Sequence, residues 1–416
     1  MEVHTFLIYL AIILLAARIF GEVADYFKIP PVIGELVAGI IIGPSVFGLI
    51  ADSEQINLLA QIGIIMLLFE VGLETDIGRL RASGANATIV AVAGVILPLI
   101  SGFALSYYVF DFSLLASLLI GSTLTATSIG ITLRVLRDLK KQSSREAQII
   151  IGAAVLDDII GIVLLAMLYD FSVSGEVKLW DTAKVLLSIV LFFIISPLAA
   201  KTVSLVIQKW DEKSKIAGLV PTMTVALILF FAWLAYQMGA PELLGGFAAG
   251  IALSRQFFSF SAFEEQEEQS KEFNHRVEEQ MKPIIHLFTP IFFVAIGLSL
   301  NLRVINWESS FIWMLTGSLL AVGILGKLLS GFLLRKESLI KQLIVGTAMI
   351  PRGEVGLIFA NIGLTTGIIQ NEVYASIILV ITITTLVAPF ALRYMYAYAP
   401  SEPAEHADGE AEQNHH

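Results

Sequence analysis

Apolar runs of about twenty residues follow one another along this chain, broken by short polar stretches. A helix needs ~20 apolar residues to cross a bilayer. The runs predict thirteen membrane helices, over roughly 5–25, 30–50, 56–73, 86–110, 113–134, 144–170, 180–207, 217–237, 241–257, 282–300, 309–334, 341–366 and 371–397. In lipid each segment must satisfy its own backbone polar groups, so the fold class is an all-α polytopic membrane protein. Residues 1–397 make up this membrane domain, and 398–416 read as an acidic, disordered tail.

Composition narrows the picture. Of 416 residues, 56% are apolar and only 15% charged, which leaves no room for a soluble catalytic domain. The chain is therefore not read as an enzyme. Cysteine is absent, and no Walker, zinc or dinucleotide motif appears, so no cofactor is expected. The net charge of −10 owes much to Glu264–Glu279 and to the tail after Pro400; neither looks like a nucleic-acid surface. The Glu264–Glu279 stretch reads as a solvated amphipathic helix. The first run lacks a basic leader and a small-residue cleavage site, so it reads as a retained helix.

Basic residues orient the chain. Nearly all fall in alternate loops and adjacent helix ends, near 26–30, 74–86, 134–145, 208–216, 255–282 and 335–341, or in the last helix. Only Lys178, Lys184 and Arg303 lie on the opposite side, while Lys327 and Arg352 lie within helices. The positive-inside rule then places the N-terminus outside and the C-terminus in the cytoplasm.

The chain also resembles itself. Pro31-Val32-Ile33-Gly34-Glu35-Leu36-Val37-Ala38-Gly39-Ile40 is echoed by Pro241-Glu242-Leu243-Leu244-Gly245-Gly246-Phe247-Ala248-Ala249-Gly250-Ile251. Val71-Gly72-Leu73 is echoed by Ile296-Gly297-Leu298, and Thr125-Ala126-Thr127-Ser128 stands at the position matched by Pro351-Arg352-Gly353-Glu354. Spans one to six then pair with eight to thirteen. An odd number of helices separates them, so the six-helix repeats are inverted. Inverted repeats mark secondary transporters, whose sites lie at broken helices near the midplane. Two breaks are expected, one at Gly121–Gly130, rich in small hydroxyl residues, and one at Pro351-Arg352-Gly353.

Five charges lie well inside predicted spans: Asp157, Asp158, Lys327, Arg352 and Glu354. A carboxylate at mid-membrane costs at least ~3 kcal/mol, so two in a row imply function. Neighbours on a helix point about 100° apart. One aspartate can therefore line a watery path while the other meets a partner on another helix. The small residues around Lys327 favour pairing with an aspartate over snorkelling to the interface. Arg352 and Glu354 flank the second break and are expected to neutralise peptide dipoles of crossed half-helices, with direct ion coupling as the alternative. Glu35 and Glu70 lie nearer helix ends and are expected to reach the interface or cap loops.

These residues carry a resemblance. Pro-Val-Ile-Gly-Glu at 31–35, Val-Gly-Leu-Glu at 71–74, Ala-Thr-Ser-Ile-Gly-Ile-Thr at 126–132, Asp-Asp at 157–158, Gly-Lys at 326–327 and Pro-Arg-Gly-Glu-Val-Gly-Leu at 351–357 are similar to the monovalent cation:proton antiporter-2 family, near NapA-type bacterial sodium/proton antiporters. The resemblance runs over 5–397. It implies the NapA/NhaA-like fold with two crossed broken helices, a homodimer, and a bacterial inner-membrane location. It further implies a dimerisation part about 1–73 and 217–300, a mobile core about 86–170 and 309–397, and a linker helix at 180–207. By the same resemblance Asp158 is the ion-binding carboxylate, Asp157 the partner of Lys327, and Thr127 and Ser128 the crossover residues beside sodium.

The expected activity is exchange of protons for sodium or lithium by alternating access, with two protons per sodium ion. Potassium/proton exchange of the Kef type is the alternative. Kef-type relatives usually carry another residue before the second aspartate and a soluble nucleotide-binding domain behind the membrane part, so Asp157 and the short tail favour sodium. A gated channel would gather filters at a symmetry axis, a sensor would not transport, and an organic-anion symporter would need a large polar cavity. The expected partners are sodium, protons, lipid and a second copy.

Overall fold

The computed structural model describes residues 3–398 apart from 52, 76, 175–178, 212–217 and 255–263. The tail 399–416 and Lys178 lie outside the described residues. Among the described residues fifteen α-helices follow in order: α1 Val3–Tyr26, α2 Pro31–Ile42, α3 Glu54–Glu74, α4 Ile77–Ala104, α5 Leu114–Thr123, α6 Ile129–Asp138, α7 Arg145–Ser174, α8 Leu179–Asp211, α9 Leu219–Gln237, α10 Glu242–Ala252, α11 Glu264–Ser299, α12 Ser310–Phe332, α13 Leu339–Ala348, α14 Glu354–Thr365 and α15 Asn371–Tyr398. Among the described residues, eight helices are long and apolar enough to cross a membrane, and six apolar stretches are shorter.

Both expected breaks are present. Helix stops at Thr123 and resumes at Ile129, and it stops at Ala348 and resumes at Glu354. The second gap holds Pro351, which has no N–H to give a helix. Two runs are shorter than the sequence suggests. α2 ends at Ile42 rather than near 50, because Gly43 and Pro44 stop it; α10 ends at Ala252. Conversely, α11 begins at Glu264, so the acidic stretch continues as helix into the apolar run.

Helices α1, α2, α3, α9, α10 and α11 pack largely among themselves, and α4–α7 and α12–α15 do the same. α8 touches α7, α9 and α10. Glycine sets the spacing in the first group. A Cβ on Gly39 would lie 2.1 Å from the Val294 carbonyl oxygen and 2.8 Å from Cα of Gly297. A Cβ on Gly250 would lie 2.2 Å from the Phe69 carbonyl oxygen and 2.9 Å from Cα of Gly72. These two contacts join α2 to α11 and α3 to α10, and the repeat noted in the sequence maps one onto the other. Gly34 against the Phe20 carbonyl and Gly245 against the Phe231 carbonyl form a second matched pair, at 2.1 and 2.2 Å. Small residues bring backbones close where lipid gives no hydrophobic drive for helix association.

Candidate functional site

The two breaks cross beside α7 and α12. α5 and α13 present C-terminal carbonyls here, while α6 and α14 present N-terminal N–H groups. Each orphan group needs a partner, since water is scarce. The Ser128 N–H donates to the Pro351 carbonyl at 2.8 Å, tying one crossing strand to the other. The Thr132 hydroxyl donates to Ala348 O at 2.6 Å, closing the end of α13. The strands press tightly: a Cβ on Gly353 would lie 2.9 Å from Ser128 Oγ.

Arg352 is fully buried at the crossing. Its guanidinium donates to Ala126 O at 3.3 Å, Thr125 O at 3.5 Å and Gly323 O at 3.2 Å. A cation there offsets the negative end of α5. Glu354 opens α14, and its side chain lies outside the described residues.

Asp157 and Asp158 project from α7 in different directions. Asp157 Oδ2 accepts from the Thr127 backbone N–H at 2.9 Å and from Lys327 Nζ at 3.4 Å. The carboxylate thereby faces the positive end of α6 as well as the ammonium. Lys327 Nζ also donates to Thr127 Oγ1 at 2.8 Å, and that hydroxyl donates to Met349 O at 3.2 Å. Lysine and aspartate are both buried, at 0% and 1% exposure, so Lys327 does not snorkel. Gly94 of α4 packs beside the ammonium: a Cβ there would lie 3.5 Å from Nζ, an ordinary van der Waals contact.

Asp158 faces a small cavity of about 20 Å³, enough for one water-sized occupant. Ala126, Thr127 and Ser128 line it from the first break, Gly353 from the second, and Ile64, Leu243 and Phe292 from the other helix group. Residues that carry carboxylate, hydroxyl and backbone carbonyl oxygens thus line one small cavity.

The structure therefore assembles Asp157, Lys327 and Thr127 into one network and sets Asp158 and Ser128 at the adjoining cavity. Glu35 and Glu70 differ from expectation. They are 4% and 3% exposed and pair with Arg134 and Arg137 of α6 rather than reaching the interface. Their position near helix ends is compatible with exposure; the covering α6 comes from far along the chain. Sequence reasoning also assigned no part to Thr132, Ile64, Leu243 or Phe292. Thr132 lies within the recognised 126–132 motif, but the three apolar residues carry no local signal.

The chain matches known proteins over most of its length. Residues 8–397 match the family described as "Sodium/hydrogen exchanger, transmembrane". The chain is 33% identical to the high-affinity Na(+)/H(+) antiporter NhaS3 of Synechocystis sp., covering 96% of this chain and 91% of that one. It is equally 33% identical to the Na(+)/H(+)-K(+) antiporter GerN of Bacillus cereus, covering 94% and 96%. The solved sodium proton antiporter MjNhaP1 of Methanocaldococcus jannaschii shares the fold, with TM-score 0.69 at 19% identity over 95% of this chain and 98% of that one. This multi-pass membrane protein belongs to the sodium/hydrogen exchanger family.

Proposed function

We propose that the protein exchanges protons for sodium ions across the membrane by alternating access. One observation carries the reading: a buried carboxylate, Asp158, lines a water-sized cavity at the crossing of two broken helices. Burial disfavours a bare charge, so this carboxylate is neutralised by a proton or by a cation. Sodium is hard and suits carboxylate, carbonyl and hydroxyl oxygens, which Asp158, Thr127 and Ser128 supply. Because one site serves both cargoes, the loaded carrier reorients with one or the other. NhaS3, named as a Na(+)/H(+) antiporter, supports the same cargo, and the name of GerN carries potassium beside sodium.

The Asp157–Lys327 pair adds a second proton. Lys327 holds its proton while paired with Asp157. Sodium at Asp158 draws on Thr127, which bridges the pair, and releases the lysine proton. Two protons then move per sodium ion, and each net charge gains ~2.3 kcal/mol per 100 mV of membrane potential. In this scheme α4–α7 and α12–α15 move as the core against α1–α3 and α9–α11, which also form the homodimer face. The N-terminus lies outside and the C-terminus in the cytoplasm, in a bacterial inner membrane.

Reconstituted protein tests this. A proton gradient should be dissipated by sodium and lithium, with potassium as the discriminating arm, and Asp158→Asn should abolish the signal. Full-speed exchange by Asp158→Asn would sink the proposal.

A further inference from the structure

Helix α6 runs from the cavity wall at Ser128 to Asp138. One of its faces lies against the other helix group, through Gly130, Arg134 and Arg137 at helical spacing. A Cβ on Gly130 would come 2.6 Å from Ile64 Cδ1 and 3.0 Å from Phe292 Cε1. Both contacted residues also line the cavity. One turn on, Arg134 reaches Glu35 of α2 at 3.3 Å and lies 6.0 Å from the Phe293 ring centroid on α11. Arg137, beyond it, pairs with Glu70 of α3. Ile64 and Glu70 are on the same helix, so the seam starts at the cavity and runs toward one membrane face.

We propose that this face of α6 is the closure between the Asp158 cavity and that membrane face: an apolar seal at Gly130, locked by the Glu35–Arg134 and Glu70–Arg137 ion pairs. The pairs join two helix groups that otherwise pack mostly within themselves, and all four partners are largely shielded from water, with side-chain exposures of 4–14%. Breaking the Glu70–Arg137 pair strands a charge in the seam, and breaking the Glu35–Arg134 pair leaves Arg134 only Asp138 of its own helix, 3.4 Å away; the seam then admits water. Opening the site on this side requires both pairs to part while α6 slides off α2 and α3. The inference rests on the exchange reading for its purpose, but its geometry is independent of the cargo.

The chain contains no cysteine, so Leu243→Cys places a unique thiol on the cavity wall. In sealed vesicles of known orientation, a membrane-impermeant thiol reagent is applied from each face in turn. Combining Glu35→Gln with Glu70→Gln should speed labelling from the face where α6 ends by about tenfold or more, a shift in the open population. The rate from the other face should not rise. Arg137→Lys, which keeps the charge but loses the fork, should give a smaller acceleration from the same face. Exchanging partners, Glu70→Arg with Arg137→Glu, should restore slow labelling, which a generally loosened fold would not do. Unchanged labelling in the neutralised proteins overturns the proposal, as does equal acceleration from both faces. If labelling responds as expected while sodium/proton flux is absent, the closure stands and the exchange reading falls.

Discussion

Lys327 on α12 and Asp157 on α7 form an ion pair with Nζ and Oδ2 3.4 Å apart, and both side chains are shut away from water. Removing one partner leaves an uncompensated buried charge, which costs about 3–5 kcal/mol. Lys327→Met should therefore lower the melting temperature of the purified protein sharply. Lys327→Met combined with Asp157→Asn should recover much of that loss. A double-mutant cycle by thermal unfolding reads the coupling, and additive losses would show that the pair carries none.

The same lysine is assigned the second proton. Lys327→Met in the Asp157→Asn background should turn electrogenic exchange into electroneutral exchange while the Asp158 cavity persists. Proteoliposomes poised at different membrane potentials measure this. Flux that still depends on potential would remove Lys327 from the coupling.

Asp158 faces the cavity, and Asp157 faces the lysine. The two neutralisations should therefore separate in a sodium titration. A ligand at one hundred times its Kd stabilises the state it binds by about 2.7 kcal/mol. Asp158→Asn should abolish the sodium-dependent rise in melting temperature while leaving the sodium-free value near that of the parent. Asp157→Asn should lower the sodium-free value, because Lys327 then lacks its anion.

Much of this arrangement was legible along the chain. The aspartate pair announces itself because two charges interrupt an apolar run. The breaks announce themselves through Pro351, Gly353 and the small residues between Gly121 and Gly130. Those are local signals, and local backbone chemistry decides where helices stop. Lys327 was readable only by its small neighbours, which favour close helix contact over snorkelling. Glu35 and Glu70 were not readable. Their partners lie 99 and 67 residues away, on a helix whose burial is decided by tertiary packing. Ile64 and Phe292 escaped for a related reason: an apolar residue lining a site is indistinguishable in sequence from one lining the core.

Arg352 holds three carbonyls from two separate elements with one rigid fork. A lysine cannot span them, since its ammonium is a point donor on a flexible stem. Arg352→Lys should leave buried carbonyls unmet, each costing about 1–3 kcal/mol. Arg145 provides the contrast. It pairs with Glu337 at 2.9 Å, but its side chain is 61% exposed, and such pairs contribute about 0–1 kcal/mol. Thermal unfolding should rank Arg352→Lys far below Arg145→Lys, and an equal ranking would mean the crossing does not depend on the fork.

Backbone proximity makes the final prediction. Gly39 and Gly250 meet backbone atoms of α11 and α3, which cannot rotate aside as a side chain can. Gly39→Ala and Gly250→Ala should each force helices apart and cost about 1–3 kcal/mol or more. Gly317 on α12 has open space where its Cβ would lie. Alanine there relieves the entropy cost of a mid-helix glycine, a gain of about 1 kcal/mol. The two contact positions are related by the internal repeat, so their losses should be similar in size. Unfolding of the three variants side by side checks both points. A Gly39→Ala protein as stable as Gly317→Ala would mean that α2 and α11 are not held at this spacing.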